Sequence, residues 1–136
     1  MAIDRHGGFE KLKVLLDTNA LTIPVQFGID LFAELERVIG LYQPYILAES
    51  IVELKRLAKG SGIDAAAARV GLVLSDRCAI VEGDKSIGNV DERIASYAET
   101  EHCIVVTNDI PLKMTLKKRG IQVISIRKLK KLEIGR

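Results

Sequence analysis

Residues 13–21 read "KVLLDTNAL", and the predicted fold follows from this stretch. The apolar run Val14–Leu16 predicts a buried strand, because short continuous apolar runs are typical of strands covered on both faces. The strand ends in three polar residues, Asp17–Asn19. A carboxylate, a hydroxyl and an amide therefore follow one another at the end of a buried strand, where a fixed backbone would hold them in place.

Short apolar runs alternate with helical patterns along the rest of the chain. Further strands are predicted at residues 43–48, 78–83, 103–107 and 121–126, and helices at residues 29–40, 49–59, 89–101 and 109–120, while residues 60–76 are predicted to be a loop followed by an alanine-rich helix. This order predicts an α/β fold of three layers, α/β/α, with a central parallel sheet of about five strands. We expect one domain over residues 1–136, with its core at about 13–126 and with residues 1–11 and 127–136 peripheral.

The composition is typical of a globular domain. Hydrophobic residues make up 48% of the 136 residues and charged residues 28%. No apolar run approaches the ~20 residues that span a bilayer, and the first residues lack the apolar centre of a signal peptide. We therefore expect a cytoplasmic protein with no membrane partner. Two cysteines and two histidines are a poor set of zinc ligands.

Four acidic residues are predicted to meet at one edge of the sheet. They follow the first and fourth strands or lie near the start of a helix, and they are Asp17, Glu53, Asp91 and Asp109. Helices of a parallel α/β sheet begin at the edge where the strands end. Each acid alone is explained by a helix cap or a surface ion pair. Carboxylates gathered at one edge repel each other, so the set indicates a bound hard cation, one or two ions of Mg²⁺ or Mn²⁺.

The sequence resembles the PIN domain family of metal-dependent nucleases. The matching stretches are "LLDTNAL", "LAESIVELKRL", "NVDERIASYA" and "VVTNDIPLKM", and the resemblance covers about residues 13–126. It implies the family's fold, a parallel sheet between helices. It also implies that the catalytic metal ligands are Asp17, Glu53, Asp91 and Asp109.

The resemblance assigns supporting roles to neighbours of these acids. Asn19 and Thr107 match the amide and hydroxyl that position ligands or substrate. Glu49 and Glu92 could replace their neighbours in register. They rank lower, because Glu53 lies in the "VEL" match and Asp91 in the "DERIA" match.

The activity implied by the resemblance is metal-dependent hydrolysis of single-stranded RNA, by an endoribonuclease that leaves 5′-phosphate and 3′-hydroxyl ends. Two branches of the family are similar to this chain. One contains small archaeal proteins related to the endonucleases that process small-subunit ribosomal RNA, and the other contains the VapC toxins. The implied partners are RNA, a second copy in a homodimer, and an antitoxin or a ribosome-assembly protein.

A basic run near the C-terminus predicts an RNA-facing surface, although the net charge is only +2. It contains no acid between its first and last cations, which are Lys113, Lys117, Lys118, Arg119, Arg127, Lys128, Lys130 and Lys131. The first four would contact backbone phosphates without reading the base sequence. A solvated helix face followed by a frayed tail explains the same pattern.

Three alternative functions differ in how well the residues of this sequence fit them. A PIN scaffold could bind RNA or protein without cleaving. A phosphotransferase of the haloacid dehalogenase type needs a second aspartate two residues after Asp17, where Asn19 stands. A nucleotide-binding module is disfavoured, because "KGSG" is not followed by the lysine and hydroxyl residue of a phosphate-binding loop.

Overall fold

The structure is a computed structural model that describes residues 11–126 and 132–134. Its strands are β1 (Leu12–Leu16), β2 (Tyr42–Leu47), β3 (Ala79–Val81), β4 (Ile104–Val106), β5 (Val123–Ile126) and β6 (Leu132–Ile134). Its helices are α1 (Ile23–Phe27), α2 (Leu31–Ile39), α3 (Ala48–Ala58), α4 (Ile63–Ser75), α5 (Val90–Glu101) and α6 (Ile110–Lys118). One turn of 3₁₀ helix, Asn19–Thr22, connects β1 to α1.

The strands form one sheet in the order β3-β2-β1-β4-β5-β6. The first five are parallel, and β6 pairs antiparallel with β5. β1 therefore lies in the middle, with β2 on one side and β4 on the other. The direction in which successive strands are added reverses between β1 and β4. In open α/β sheets, ligands bind beyond the carboxyl ends of the strands at such a reversal.

Helices cover both faces of the sheet and bury β1 completely. Val14 and Leu16 pack into the core under α2, α3 and α4, whereas Leu15 packs into the core under α5 and α6. All three residues are fully buried. This burial on both faces explains why the first strand is an unbroken apolar run, and the predicted three-layer α/β architecture with five parallel strands is confirmed.

Two parts of the described structure were not predicted. The segment from Asn19 to Phe27 folds into the 3₁₀ turn and the five-residue α1, which are too short to show a helical period in the sequence. β6 is only three residues long and follows a basic run, so the sequence predicted no strand after Ile126. Of the residues expected to be peripheral, 1–10, 127–131, 135 and 136 lie outside the described residues. No helix in the described part of the chain is long and apolar enough to cross a membrane.

Candidate metal centre

Asp17 is held rigidly at the carboxyl end of β1. Its side chain is only 4% exposed. Oδ1 accepts a hydrogen bond of 2.7 Å from the backbone N–H of Ala20, and Oδ2 accepts one from the hydroxyl of Thr107. The backbone N–H of Asp17 also donates to the carbonyl of Val106 on the neighbouring strand β4, at 3.3 Å. Both carboxylate oxygens therefore have fixed positions at the point where the strand order reverses.

The 3₁₀ turn that fixes Asp17 is itself packed from behind. Ala20 and Leu21 in this turn are fully buried. Gly71 of α4 allows the helix to approach closely, because a Cβ at Gly71 would lie 3.2 Å from the carbonyl oxygen of Leu21. The turn after β1 is therefore part of the core rather than a mobile loop. Its packing fixes the N–H of Ala20, which in turn fixes the Asp17 carboxylate.

Thr107 connects two of the predicted acids. The residue follows β4 and is fully buried. Its hydroxyl donates to Asp17 and accepts the backbone N–H of Asp109 at 3.0 Å, while its own N–H donates to Ile124 at 3.0 Å. The single hydroxyl proton is committed to the Asp17 carboxylate, so Thr107 sets the position of Asp17 relative to the start of α6.

Asp109 and Asp91 both lie at the starts of helices. Asp109 is half-buried and caps α6, since its Oδ1 accepts the N–H of Leu112 at 2.8 Å. Asp91 is exposed in the first turn of α5, after the cap formed by Asn89. A negative charge at a helix N-terminus interacts favourably with the helix dipole, and this interaction stabilises both carboxylates where they lie.

The electrostatics show that three aspartates interact. Burial raises the pKa of Asp17 from its ordinary 3.8 to about 6, although the hydrogen bonds from Thr107 and Ala20 act in the opposite direction. The negative charges of Asp109 and Asp91 raise the pKa of Asp17 further. Desolvation of its carboxyl by neighbouring atoms and the charges of Asp109 and Glu92 raise the pKa of Asp91. The charges of Asp17, Asp91 and Asp109 therefore act on one another at the edge of the sheet where β1 and β4 end and α5 and α6 begin.

Glu53 is not part of this interacting set. It lies one turn into α3 and forms an ion pair with Arg56, with 2.6 Å between Oε1 and Nη2. The hydrogen bond and charge of Arg56 lower the pKa of Glu53, and Glu53 is not among the groups that shift the pKa of Asp17 or Asp91. Its predicted role as a metal ligand stays a prediction.

The two lower-ranked acids also have cationic partners. Glu49, in the first turn of α3, lies 3.4 Å from Arg93 of α5. Glu92 accepts a hydrogen bond of 2.7 Å from Arg119, which follows α6. Both acids are therefore neutralised by arginines, in contrast to Asp17.

The donor chemistry of the three aspartates suits a hard cation. All their side-chain ligands are oxygens, and the hydrogen bonds that the buried Asp17 carboxylate accepts come from a backbone N–H and a hydroxyl rather than from a cation. Within residues 11–126 and 132–134, however, no three acidic, histidine or cysteine side chains lie close enough together to hold one ion as they stand. Coordination of one ion by all three aspartates therefore requires side-chain movement within the set, in which Asp17 is held on both oxygens and Asp109 on Oδ1.

The residues predicted to face RNA differ in their exposure and in their ion pairing. Lys113 is half-buried one turn after Asp109, and Lys117 and Lys118 are exposed near the end of α6. Arg119 is occupied by Glu92. The other predicted cations, Arg127, Lys128, Lys130 and Lys131, lie outside the described residues.

The two residues predicted to support the metal ligands, Thr107 and Asn19, differ in whether they contact Asp17. Thr107 contacts Asp17 directly, as described above. Asn19 is exposed at the start of the 3₁₀ turn, and its backbone carbonyl accepts the hydroxyl of Thr22 at 2.7 Å. The backbone carbonyl of Asn19 is therefore occupied within the turn, whereas its side chain is accessible to a ligand.

Sequence reasoning missed the role of Arg93. This residue bonds the carbonyl of Ile87 and contacts Glu49, which lies 44 positions earlier in the chain. No local pattern marks such a contact, because it depends on how α3 and α5 are placed around the sheet.

Substituting Thr107→Val tests the bridge between Asp17 and Asp109. Valine has nearly the same shape but neither donates to the carboxylate nor accepts the N–H of Asp109, so we expect a loss of about 1–3 kcal/mol in the free energy of unfolding. Urea unfolding at pH 7 measures it. Thr115→Val is the matched control, because the Thr115 hydroxyl lies half-buried on α6 and bonds only the Pro111 carbonyl at 3.3 Å. Equal losses in the two variants would contradict the bridge.

Comparison with known proteins relates this geometry to one family. A family model described as "PIN like domain" matches residues 14–129. The chain is 33% identical over 127 residues to Ribonuclease VapC4 of Methanocaldococcus jannaschii, covering 90% of this chain and 95% of the relative. It is 32% identical over 124 residues to Ribonuclease VapC9 of Archaeoglobus fulgidus, covering 90% and 89%.

Two solved structures share the architecture. The PIN domain endonuclease Utp24 superposes with a TM-score of 0.76 at 26% identity, covering 91% of each chain. A chain of VapBC2 from Rickettsia felis, bound to a DNA fragment from its promoter, superposes with a TM-score of 0.62 at 20% identity. That match covers 84% of this chain and 98% of the other, and at this identity it shows the fold alone.

Proposed function

The chain belongs to the PIN-like domain family, and from this premise we propose that it is a divalent-metal-dependent endoribonuclease acting on single-stranded RNA. One observation carries the proposal. The buried carboxylate of Asp17 lies at the strand-order reversal, and two further aspartates act on it. The full-length similarity to two proteins named as ribonucleases, VapC4 and VapC9, supports the same reaction class.

The residues that would hold Mg²⁺ or Mn²⁺ are Asp17, Asp91 and Asp109. Glu53 joins them in this proposal, and its carboxylate must then leave Arg56. When bound, such an ion lowers the pKa of water and stabilises negative charge on phosphate oxygens.

The protein's own contribution is orientation and proton transfer. Ala20 and Thr107 hold the Asp17 carboxylate, so one member of the set needs no rearrangement before the reaction. Asp109 uses Oδ1 for the helix cap, and its Oδ2 is the oxygen proposed to accept a proton from the attacking water. Attack on phosphorus forms the bond to the water oxygen and breaks the bond to the 3′ oxygen, which takes up a proton from solvent, so the products carry a 5′-phosphate and a 3′-hydroxyl.

The RNA itself would bind along α6 through its backbone phosphates. Lys113, Lys117 and Lys118 are the proposed contacts, and Arg119 contributes if RNA displaces it from Glu92. Affinity of this kind does not depend on base sequence. Selection of a particular RNA would then come from its shape or from a partner protein.

Substitution of Lys113, Lys117 and Lys118 by glutamine tests this surface. Each change removes one phosphate contact, so the slope of log affinity against log salt should fall by about 0.7 per lysine for a single strand. Fluorescence anisotropy with labelled RNA over a salt series measures it. Lys59→Gln, at the far end of α3, is the matched control. A slope that stays unchanged in the triple variant would contradict the proposed surface.

Two biological settings follow from the comparisons and from the resemblance in the sequence. A VapC-type toxin with an antitoxin partner is favoured by the names of the two relatives at 33% and 32% identity. Processing of ribosomal RNA with a ribosome-assembly partner rests on the resemblance of "LAESIVELKRL" and "LKKRGIQVISI" to that branch of the family. A homodimer is part of the proposal in either setting.

The activity is tested with three end-labelled substrates of one sequence: single-stranded RNA, double-stranded RNA and single-stranded DNA. We expect internal cleavage of the single-stranded RNA with Mn²⁺ or Mg²⁺ and none with a chelator. Ligation or phosphatase treatment of the products identifies their ends. Cleavage that continues in chelator would refute the metal requirement, and absence of cleavage at all ion concentrations would favour a non-cleaving RNA-binding or protein-binding scaffold.

A further inference from the structure

We propose that Arg93 is a positioning residue that clamps the loop before α5 against α3 and thereby places Asp91 at the metal centre. The loop comprises residues 82–89 and is called the rim loop below. The part of this inference that concerns metal binding by Asp91 rests on the proposed function. Its structural content rests on contacts that involve none of the three interacting aspartates.

The guanidinium of Arg93 makes two contacts with different parts of the chain. Nε donates a hydrogen bond to the carbonyl of Ile87 in the rim loop, and Nη1 lies 3.4 Å from Oε2 of Glu49 in α3. The side chain of Arg93 is 18% exposed and that of Glu49 is 17% exposed. An ion pair this far from solvent is screened less than a surface pair, so it can define a geometry.

The rim loop has few other ties to the protein. Its centre is a turn in which the N–H and hydroxyl of Ser86 both donate to Oδ1 of Asp84, at 2.9 and 2.6 Å. Residues 84–86 and 88–90 are exposed. These hydrogen bonds stabilise the turn internally. The hydrogen bond from Arg93 to the carbonyl of Ile87 connects the turn to α5.

Gly83 shows that the clamp is closely packed. This buried glycine lies where the chain leaves β3, and a Cβ at this position would lie 2.7 Å from Oε2 of Glu49 and 3.2 Å from Cβ of Arg93. Any side chain here would push the ion pair apart. The glycine thus permits the loop backbone to pass directly beside the Glu49–Arg93 pair.

The clamp acts on Asp91 through the start of α5. Asn89 at the end of the rim loop caps the helix, its Oδ1 accepting the N–H of Glu92 at 3.2 Å, and Arg93 N–H donates to the Asn89 carbonyl at 3.0 Å. Asp91 is exposed, so its position depends on where the helix begins rather than on burial. Releasing Ile87 would loosen this first turn and move Asp91 relative to Asp17.

Substituting Arg93→Gln tests the clamp in the full-length chain. We expect the dissociation constant for Mn²⁺, measured from the electron paramagnetic resonance of the free ion, to rise by about tenfold, as for residues that support metal ligands. Hydrogen exchange should quicken at the amides of residues 84–92 and not in the central strands. Arg93→Lys keeps the charge beside Glu49 but not the Nε donor, so its constant should lie between those of wild type and Arg93→Gln. Glu49→Gln, which keeps the Ile87 contact, should do likewise.

The control is Arg37→Gln, which breaks an exposed Arg37–Glu34 pair on α2 and should change neither measurement. Unchanged Mn²⁺ affinity and unchanged exchange in Arg93→Gln would overturn the clamp, as would faster exchange spread evenly over the whole protein. RNA cleavage is measured in the same samples. A wild type that binds Mn²⁺ without cleaving RNA would overturn the proposed function, while the affinity and exchange data would still decide the clamp.

Discussion

Asp17→Asn is expected to reduce metal-dependent RNA cleavage by more than about a hundredfold, beyond what is typical when a residue merely supports a metal ligand. Asn offers one neutral oxygen where Asp17 offers two charged ones at the strand-order reversal. Initial rates with labelled RNA in saturating Mn²⁺ measure the loss. Asp30→Asn is the matched control, because Asp30 is an exposed cap of α2 and should leave cleavage unchanged.

The same Asp17→Asn substitution should not destabilise the ion-free protein at pH 8. The amide oxygen can still accept the Ala20 N–H, and the amide nitrogen can donate to the Thr107 hydroxyl. The desolvated charge disappears, and a pKa raised from 3.8 to about 6 corresponds to about 3 kcal/mol of unfavourable free energy at high pH. Lost activity together with undiminished stability in urea unfolding would separate a catalytic role from a structural one. Cleavage at the wild-type rate would contradict the site.

The stability of the ion-free protein should depend on pH through Asp17. Because the pKa of Asp17 is higher in the folded state, at about 6, than its ordinary 3.8, the folded protein binds the proton more tightly. The contribution of Asp17 is therefore fully present below about pH 4 and is lost as the pH rises towards and through 6. The loss totals about 3 kcal/mol by the same conversion.

The pH effect is measured as the difference in unfolding free energy between wild type and Asp17→Asn from pH 4 to pH 8. Other carboxylates titrate in the same range, and subtracting the variant removes their shared contribution. We expect the variant to gain on the wild type as the pH rises. A difference that stays constant over this range would contradict a buried, uncompensated Asp17.

The sequence predicts those features that depend on burial and chain order. The apolar runs of β1 and β4 mark strands covered on both faces, and polar residues directly after them must lie at the carboxyl ends. Asp17, Thr107 and Asp109 were found in this way. The order of strands across the sheet was not predicted, since it depends on how helices of similar amphipathic pattern pack on the two faces.

Features that depend on competition between side chains were not predictable. The spacing of Glu53 in α3 suits both the metal centre and an ion pair with Arg56, and the structure contains the ion pair. The contact between Glu49 and Arg93 joins helices far apart in sequence. The spacing of residues in the sequence does not decide which charged partner a carboxylate contacts, because the distances between side chains depend on tertiary packing.

If Asp17, Asp91 and Asp109 form one divalent-cation site, Mn²⁺ should stabilise the folded protein against heat. Wild type and Asp17→Asn are unfolded by heat at pH 8 over a series of Mn²⁺ concentrations, with Asp30→Asn beside them. An ion that binds only the folded state raises Tm with concentration. We expect Tm to rise with Mn²⁺ concentration for wild type and Asp30→Asn and to stay constant for Asp17→Asn. A flat Tm for wild type, or an equal rise in all three proteins, would contradict such a site.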